Sequence, residues 1–214
     1  MHDALPLSPA EAHALPSDAS AAEQRAAPRF TILIRAAKLR CGEAEFLCIV
    51  RDVSETGISV RLFHPLPEGQ ELALELQNGD AYPLELVWQS EDRAGLKFRQ
   101  PVDISRIIEC PSRFAKRPVR AAFCAPVSLV SGAVAAEATL YDISQQGAKI
   151  VSPTRFAIDQ RVRLCAPHLG EVNAKVRWRD GVTYGLVFED TFQFGDMARI
   201  VAAMQGYSGL HFPT

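Results

Sequence analysis

Apolar and polar residues alternate along most of this chain, the period of strands with one buried face. In the first half the runs ILIRAAKLRC, EFLCIVRDV, GISVRLF, QELALELQ, YPLELVWQ and GLKFR all carry it. Gly42, Gly57, Gly69, the Asn78–Gly79 pair and Gly95 punctuate them, and Asn-Gly is a strong signal for a tight turn. Strands this short and this many fit a small sandwich or a small barrel, and in a domain of this size a barrel leaves no sheet edge open. In the second half ATLYDI, GAKIVS, QRVRLCA, NAKVRW and GLVF repeat the scheme. After the last strand of each half the pattern turns helical, in DISRIIEC and in FGDMARIVAAMQ.

The two halves are copies. DVSETG at Asp52–Gly57 returns as DISQQG at Asp142–Gly147, 90 residues later, and the same offset relates Gly42 to Gly132, Trp88 to Trp178, Gly95 to Gly185 and Phe98 to Phe188. A repeat this long duplicates a whole domain and is not a solenoid unit. The expected fold is therefore all-β, with two small six-stranded antiparallel barrels in tandem, each followed by a short helix. The expected boundaries are a tail over 1–22, barrel 1 over 23–112, barrel 2 over 113–206 and a second tail over 207–214. Pro111 and Pro118 mark the linker. The Ala-, Pro- and Ser-rich N-terminal stretch reads as a flexible tail, with a short docking helix around Glu11–Leu15 as the alternative. Trp88 and Trp178 fall inside strands and are expected in the core, not as stacking platforms; Phe98 and Phe188 are expected there too.

Composition narrows the function. The chain has 214 residues, 48% hydrophobic and 22% charged, which excludes disordered and collagen-like classes. A net charge of −2 gives no sign of a general binder of nucleic-acid polymers. That charge is uneven, with −2 over residues 24–112 and +4 over residues 113–214, so barrel 2 permits an acidic partner. Cys41, Cys48, Cys110, Cys124 and Cys165 are odd in number and form no CxxC pair. They suggest no disulfide framework or zinc site, and fit apolar filling of a reduced, cytoplasmic protein. The longest uncharged run, Ala121–Ala136, is too short for a bilayer span, and the N-terminus lacks the basic and apolar regions of a secretory signal.

Two elements could carry chemistry. In QRAAPRF, Arg25 and Arg29 stand four apart at the mouth of the first strand. Their planar forks suit phosphate oxygens and the O6/N7 edge of guanine. In Asp52–Gly57, an ionised Asp52 can accept from guanine N1 and N2, and Ser54 can donate and accept. Gly57 would allow a positive φ and a close backbone approach to a ligand. Taken singly, the arginines could be solvated surface, and Asp52 with Ser54 could simply cap a turn. Neither element supplies a nucleophile with a neighbouring base. His2, His13, His64, His168 and His211 show no triad or metal spacing, and Glu43, Glu45 and Glu55 have no oriented partners, so an enzyme is not expected.

QRAAPRF followed by DVSETG, with a strand-borne tryptophan and a closing GLKF, resembles a PilZ domain. The signatures of that family, RxxxR and [D/N]xSxxG, fall on Arg25 and Arg29, and on Asp52, Ser54 and Gly57. The resemblance implies an antiparallel barrel that binds the second messenger cyclic di-GMP without a cofactor. The arginines of the flexible arm would grip phosphates and guanine, and Asp52 and Ser54 would meet a guanine edge. Gln24 stands where an extra family arginine accompanies capture of a stacked ligand dimer, which favours one ligand molecule per site. Copy 2 keeps Asp142, Ser144 and Gly147 but departs in its arm. Aligning on Gly132 sets Lys116, Arg117 and Arg120 in the arginine segment, with Lys116 in place of the first arginine. The alternative is Arg113 with Arg117, a true RxxxR that lies too early. A lysine has no bidentate fork, so copy 2 is expected to bind more weakly or to serve as a structural or partner-binding barrel. The implied function is a noncatalytic receptor acting through a partner protein, with homo-oligomers open. The rival is a ligand-independent interaction module.

Overall fold

The computed structural model describes residues 30–111 and 118–207, with side chains of the first strand from Arg35 onward. The expected N-terminal tail, Arg25, Arg29, Arg113, Lys116 and Arg117 lie outside the described residues. Barrel 1 comprises β1 (Phe30–Cys41), β2 (Ala44–Val53), β3 (Gly57–Arg61), β4 (Leu72–Glu75), β5 (Ala81–Ser90) and β6 (Arg93–Phe98). It closes in the order β1-β2-β3-β6-β5-β4, with every pair antiparallel. Barrel 2 comprises β7 (Ala121–Ser131), β8 (Val134–Ser144), β9 (Gly147–Val151), β10 (Arg161–Ala166), β11 (Gly170–Asp180) and β12 (Thr183–Phe188), and repeats the order. The expected all-β tandem is the fold observed.

Alternation fills each interior. Leu39, Cys48, Val50, Val60, Leu74, Leu84 and Phe98 line barrel 1, and Leu129, Leu140, Ile150, Leu164, Val176 and Phe188 line barrel 2. Both hairpins that open the copies turn at a glycine of positive φ, Gly42 at 58° and Gly132 at 60°, a region that costs glycine little and other residues more. Helix α1 (Ile104–Glu109) closes barrel 1, burying Ile107 completely. Asp103 caps it by accepting from the Ser105 amide, and Arg106 pairs with Asp80 at 3.0 Å. Desolvation pushes the Asp80 carboxyl up, but hydrogen bonds from Asn78 and Arg106, the Arg106 charge and a bond from Tyr82 together hold it below 3.8.

Helix α2 (Phe194–Ala202) follows barrel 2 but is shared between the barrels. Met197, Ala198 and Val201 pack into the barrel 2 core, while Ala202 joins that of barrel 1, and Leu47 of β2 joins that of barrel 2. Phe63 meets Phe194 edge-on at 5.7 Å, and Phe46 meets Tyr207 at 5.0 Å. Gln205 pairs with the backbone of Glu45 as a strand neighbour would: its Oε1 accepts from the Glu45 amide at 2.9 Å, and its Nε2 donates to the Glu45 carbonyl at 2.8 Å. The Glu45 side chain accepts from the Ala122 amide of barrel 2 at 2.6 Å and pairs with Lys38 at 2.9 Å. Lys38, 8% exposed, also reaches Glu75 at 3.0 Å. A buried ammonium needs such partners, because one left unpaired costs several kcal/mol.

His64 lies beside this seam, 6% exposed and with its ring 4.1 Å from that of Phe46. Its Nδ1 donates to the Pro65 carbonyl, and Nε2 has no partner among the described residues. Burial lowers its pKa below 6.5, only partly opposed by the Pro65 carbonyl. The unfolded chain therefore takes up a proton that the folded chain refuses. Stability should be full above about pH 6.5 and decline as the pH falls through that value, by at most about 1.4 kcal/mol per unit. Thermal unfolding of wild type between about pH 7.5 and about pH 5.5 should show this decline, and His64→Phe should flatten it. An equal decline in the variant would assign it to other groups.

Candidate functional site

In barrel 1 the signature spans the β2–β3 turn. The Ser54 amide donates to the Gly57 carbonyl at 2.8 Å. The Ser54 hydroxyl, in a residue only 5% exposed, accepts from the Gly57 amide at 3.1 Å and donates to its carbonyl at 3.2 Å. Ser144 is wholly buried in the corresponding turn, and its hydroxyl donates to the Gly147 carbonyl at 3.2 Å. The serines thus brace their own turns. Gly57 and Gly147 are absent from the positive-φ glycines, which corrects the conformation expected for Gly57. Their need is space: a Cβ on Gly57 would sit 3.1 Å from the Leu96 carbonyl oxygen, and one on Gly147 would clash with that of Leu186.

Asp52 points outward, and the strand register sets its neighbours. Asp52 pairs with Ser59 of β3, Ser59 with Gly95 of β6, and Gly95 with Trp88 of β5; on its other side Asp52 pairs with Thr31 of β1. Directly paired residues share a face, so Asp52, Ser59, Gly95 and Trp88 form one row across the outside of the barrel. Ser59 Oγ donates to Asp52 Oδ2 at 2.7 Å. Trp88 lies over Gly95, where any Cβ would overlap its indole.

This placement corrects the expectation that Trp88 and Trp178 are core residues, since each is 44% exposed. By strict alternation Trp88 would share the inward face of Leu84. A bulge between Leu86 and Trp88 adds one residue to β5 and turns Trp88 outward, as a bulge between Val176 and Trp178 does in β11. Matching bulges between Val50 and Asp52 and between Leu140 and Asp142 border each aspartate. Phe98 and Phe188 are buried as expected, at 3% and 7% exposure.

Copy 2 builds the same row with different chemistry. Ala122 pairs with Asp142, Asp142 with Lys149, Lys149 with Gly185, and Gly185 with Trp178. Lys149 takes the place of Ser59 and reaches Asp142 Oδ2 at 3.2 Å, while Arg120 Nη1 bonds Asp142 Oδ1. The register also relates the two arms. Between its paired positions β1 has three residues, Ile32–Ile34, where β7 has two, Phe123 and Cys124, so the offset becomes 91 before the bulge. Counted back along the sequence from Phe30 and Ala121, Arg120 then corresponds to Arg29, and Lys116 to Arg25. Among the described residues, no group of three or more His, Cys, Asp or Glu side chains could hold a metal, and no helix is long and apolar enough to cross a membrane.

The PilZ domain model matches residues 23–110 and again 111–206, so the chain belongs to the PilZ domain family. No curated protein matches the chain. Among solved structures it is similar to the Borreliella burgdorferi PlzA protein in complex with c-di-GMP, at 10% identity and a TM-score of 0.33, covering 87% of this chain and 95% of that one. It is similar also to the Bacillus subtilis inhibitor of motility MotI/DgrA, at 14% identity and a TM-score of 0.34, covering 83% and 97%. For YcgR from Escherichia coli in complex with c-di-GMP the values are 12% identity, a TM-score of 0.32 and coverage of 80% and 84%.

The Trp–Gly contact can be tested directly. Gly95→Ala and Gly185→Ala should each dislodge one indole, changing the intensity and wavelength of tryptophan emission while the barrel stays folded. Unchanged emission in both variants would contradict the placement.

Proposed function

We propose that the chain is a noncatalytic receptor for cyclic di-GMP, with its principal site on barrel 1, formed by Arg25, Arg29, Asp52, Ser54 and Gly57. The observation that carries this reading is the outward row of Asp52, Ser59, Gly95 and Trp88 beside the start of β1. It offers a carboxylate for guanine N1 and N2 donors, a hydroxyl next to it and an exposed aromatic face. Thr31 pairs with Asp52, so Arg29 stands two residues from the strand position facing that carboxylate. The Arg120–Asp142 bond supports the idea that an arginine at this position reaches its aspartate. In this reading Ser54 and Gly57 fix the turn that aims Asp52.

The ligand carries two phosphates, and removing it from water demands several charge-assisted bonds. The open barrel face supplies the base edge, and the arginine arm supplies the phosphate contacts. Closing the arm on the ligand would order that segment at some entropic cost and alter the surface at the start of β1. A partner protein that reads this surface would carry the signal onward. In barrel 2, occupation of the second Asp142 oxygen by Lys149, where barrel 1 has Ser59, favours the weaker or structural role.

Arg29→Ala should weaken cyclic di-GMP binding by about 2–4 kcal/mol in a calorimetric titration, through loss of a charge-assisted fork. Wild-type affinity in that variant would remove Arg29 from the site. Cyclic di-AMP should bind far more weakly, since adenine presents N6–H₂ where guanine presents O6. Equal affinity would leave only phosphate attraction.

A further inference from the structure

The two rows differ most at one position, Ser59 in barrel 1 and Lys149 in barrel 2. Ser59 gives Asp52 a neutral hydroxyl that can rotate and accept as well as donate. Lys149 gives Asp142 a cation at 3.2 Å, while Arg120 holds the other oxygen. Both oxygens of that carboxylate are thus bound by positive charge. We infer that Lys149 is the positioning residue that sets barrel 2's low affinity for the ligand, by holding the carboxylate that a guanine would otherwise occupy. This rests on the receptor reading of the row.

Guanine recognition needs a carboxylate that accepts from N1 and N2 together. A ligand at Asp142 must displace Arg120 from Oδ1, as an arm arginine would have to leave Asp52, and in addition the Lys149 ammonium from Oδ2. Its partly positive N–H groups then lie beside the displaced lysine charge. Lys149 stands in register between Asp142 and Gly185, the residue under Trp178. Its charge therefore sits where the base edge would lie, away from the arm that would take the phosphates. Lysine also attracts phosphates, but an exposed charge is screened over about 8–10 Å. Lys149 is half-exposed, with 41% of its side chain open, and competes for Asp142 at bonding distance. The exposed ion pair limits the effect to about fivefold in affinity.

The test uses the full chain carrying Asp52→Ala, which silences barrel 1, titrated with cyclic di-GMP. In that background Lys149→Ser and Lys149→Met should each raise barrel 2 affinity about fivefold, whereas Lys149→Arg should leave it low. The Met variant removes the charge without adding a hydroxyl, and the Arg variant keeps the charge, so the set reads the cation itself. In the otherwise unaltered chain, Ser59→Lys should weaken barrel 1 by a similar factor. Unchanged or lower affinity in Lys149→Ser or Lys149→Met, raised affinity in Lys149→Arg, or unchanged affinity in Ser59→Lys overturns the inference. The barrel 1 variant keeps the test decisive if a Lys149 variant fails to fold. Absence of binding by the unaltered chain would instead reject the receptor reading, and this inference with it.

Discussion

The candidate site depends on paired β-bulges at the end of each barrel. A strand that alternates strictly can send only every second residue outward. A bulge that inserts one extra residue, as those beside Asp52 and Trp88 do, resets that alternation. In barrel 1 the bulges bring Asp52 and Trp88 into one outer row across β2, β3, β6 and β5, and Gly95 leaves room for the indole to lie flat. The bulge between Thr31 and Arg35 sets where the arm enters the barrel relative to Asp52. Barrel 2 keeps all three bulges but shortens the last by one residue, which shifts its arm by one position relative to the repeat. Its row then differs through side chains alone.

The seam ties the second row to the first barrel. Ala122, whose amide is held by Glu45, is the residue that pairs with Asp142. Glu45 is in turn fixed by Lys38 and by the side-chain amide of Gln205. A displacement of β7 at Ala122 would pull on a carboxylate that a buried lysine cannot easily give up. Barrel 2 therefore has less freedom at the root of its arm than a barrel standing alone. Clamping of Asp142 by Lys149 and Arg120 acts in the same direction.

Much of the fold was legible because inward positions obey the two-residue period. Leu72, Leu74, Leu84 and Phe98 fall where alternation sets them, and the constant repeat offset made the second barrel a copy of the first. Alternation places Trp88 and Trp178 inward because a bulge leaves no mark in an apolar run; the glycine that pairs with each tryptophan is a sequence feature that fits the outward placement. The turn position of Gly57 suggests a positive φ, whereas crowding by the Leu96 carbonyl across the strand pair is what favours glycine there. Ser59 and Lys149 carried no motif, since their meaning comes from the strand opposite. Glu45, expected to have no oriented partner, has several, and the sequence hides them because Ala122 and Gln205 lie far away along the chain.

The most direct measurement is a calorimetric titration of the full chain with cyclic di-GMP, repeated on Asp52→Ala. The expected result is a tight binding event in the wild-type chain that Asp52→Ala removes, leaving at most the weak heat of barrel 2. Absence of binding by the wild-type chain, or a tight event that survives Asp52→Ala, would contradict barrel 1 as the principal ligand site.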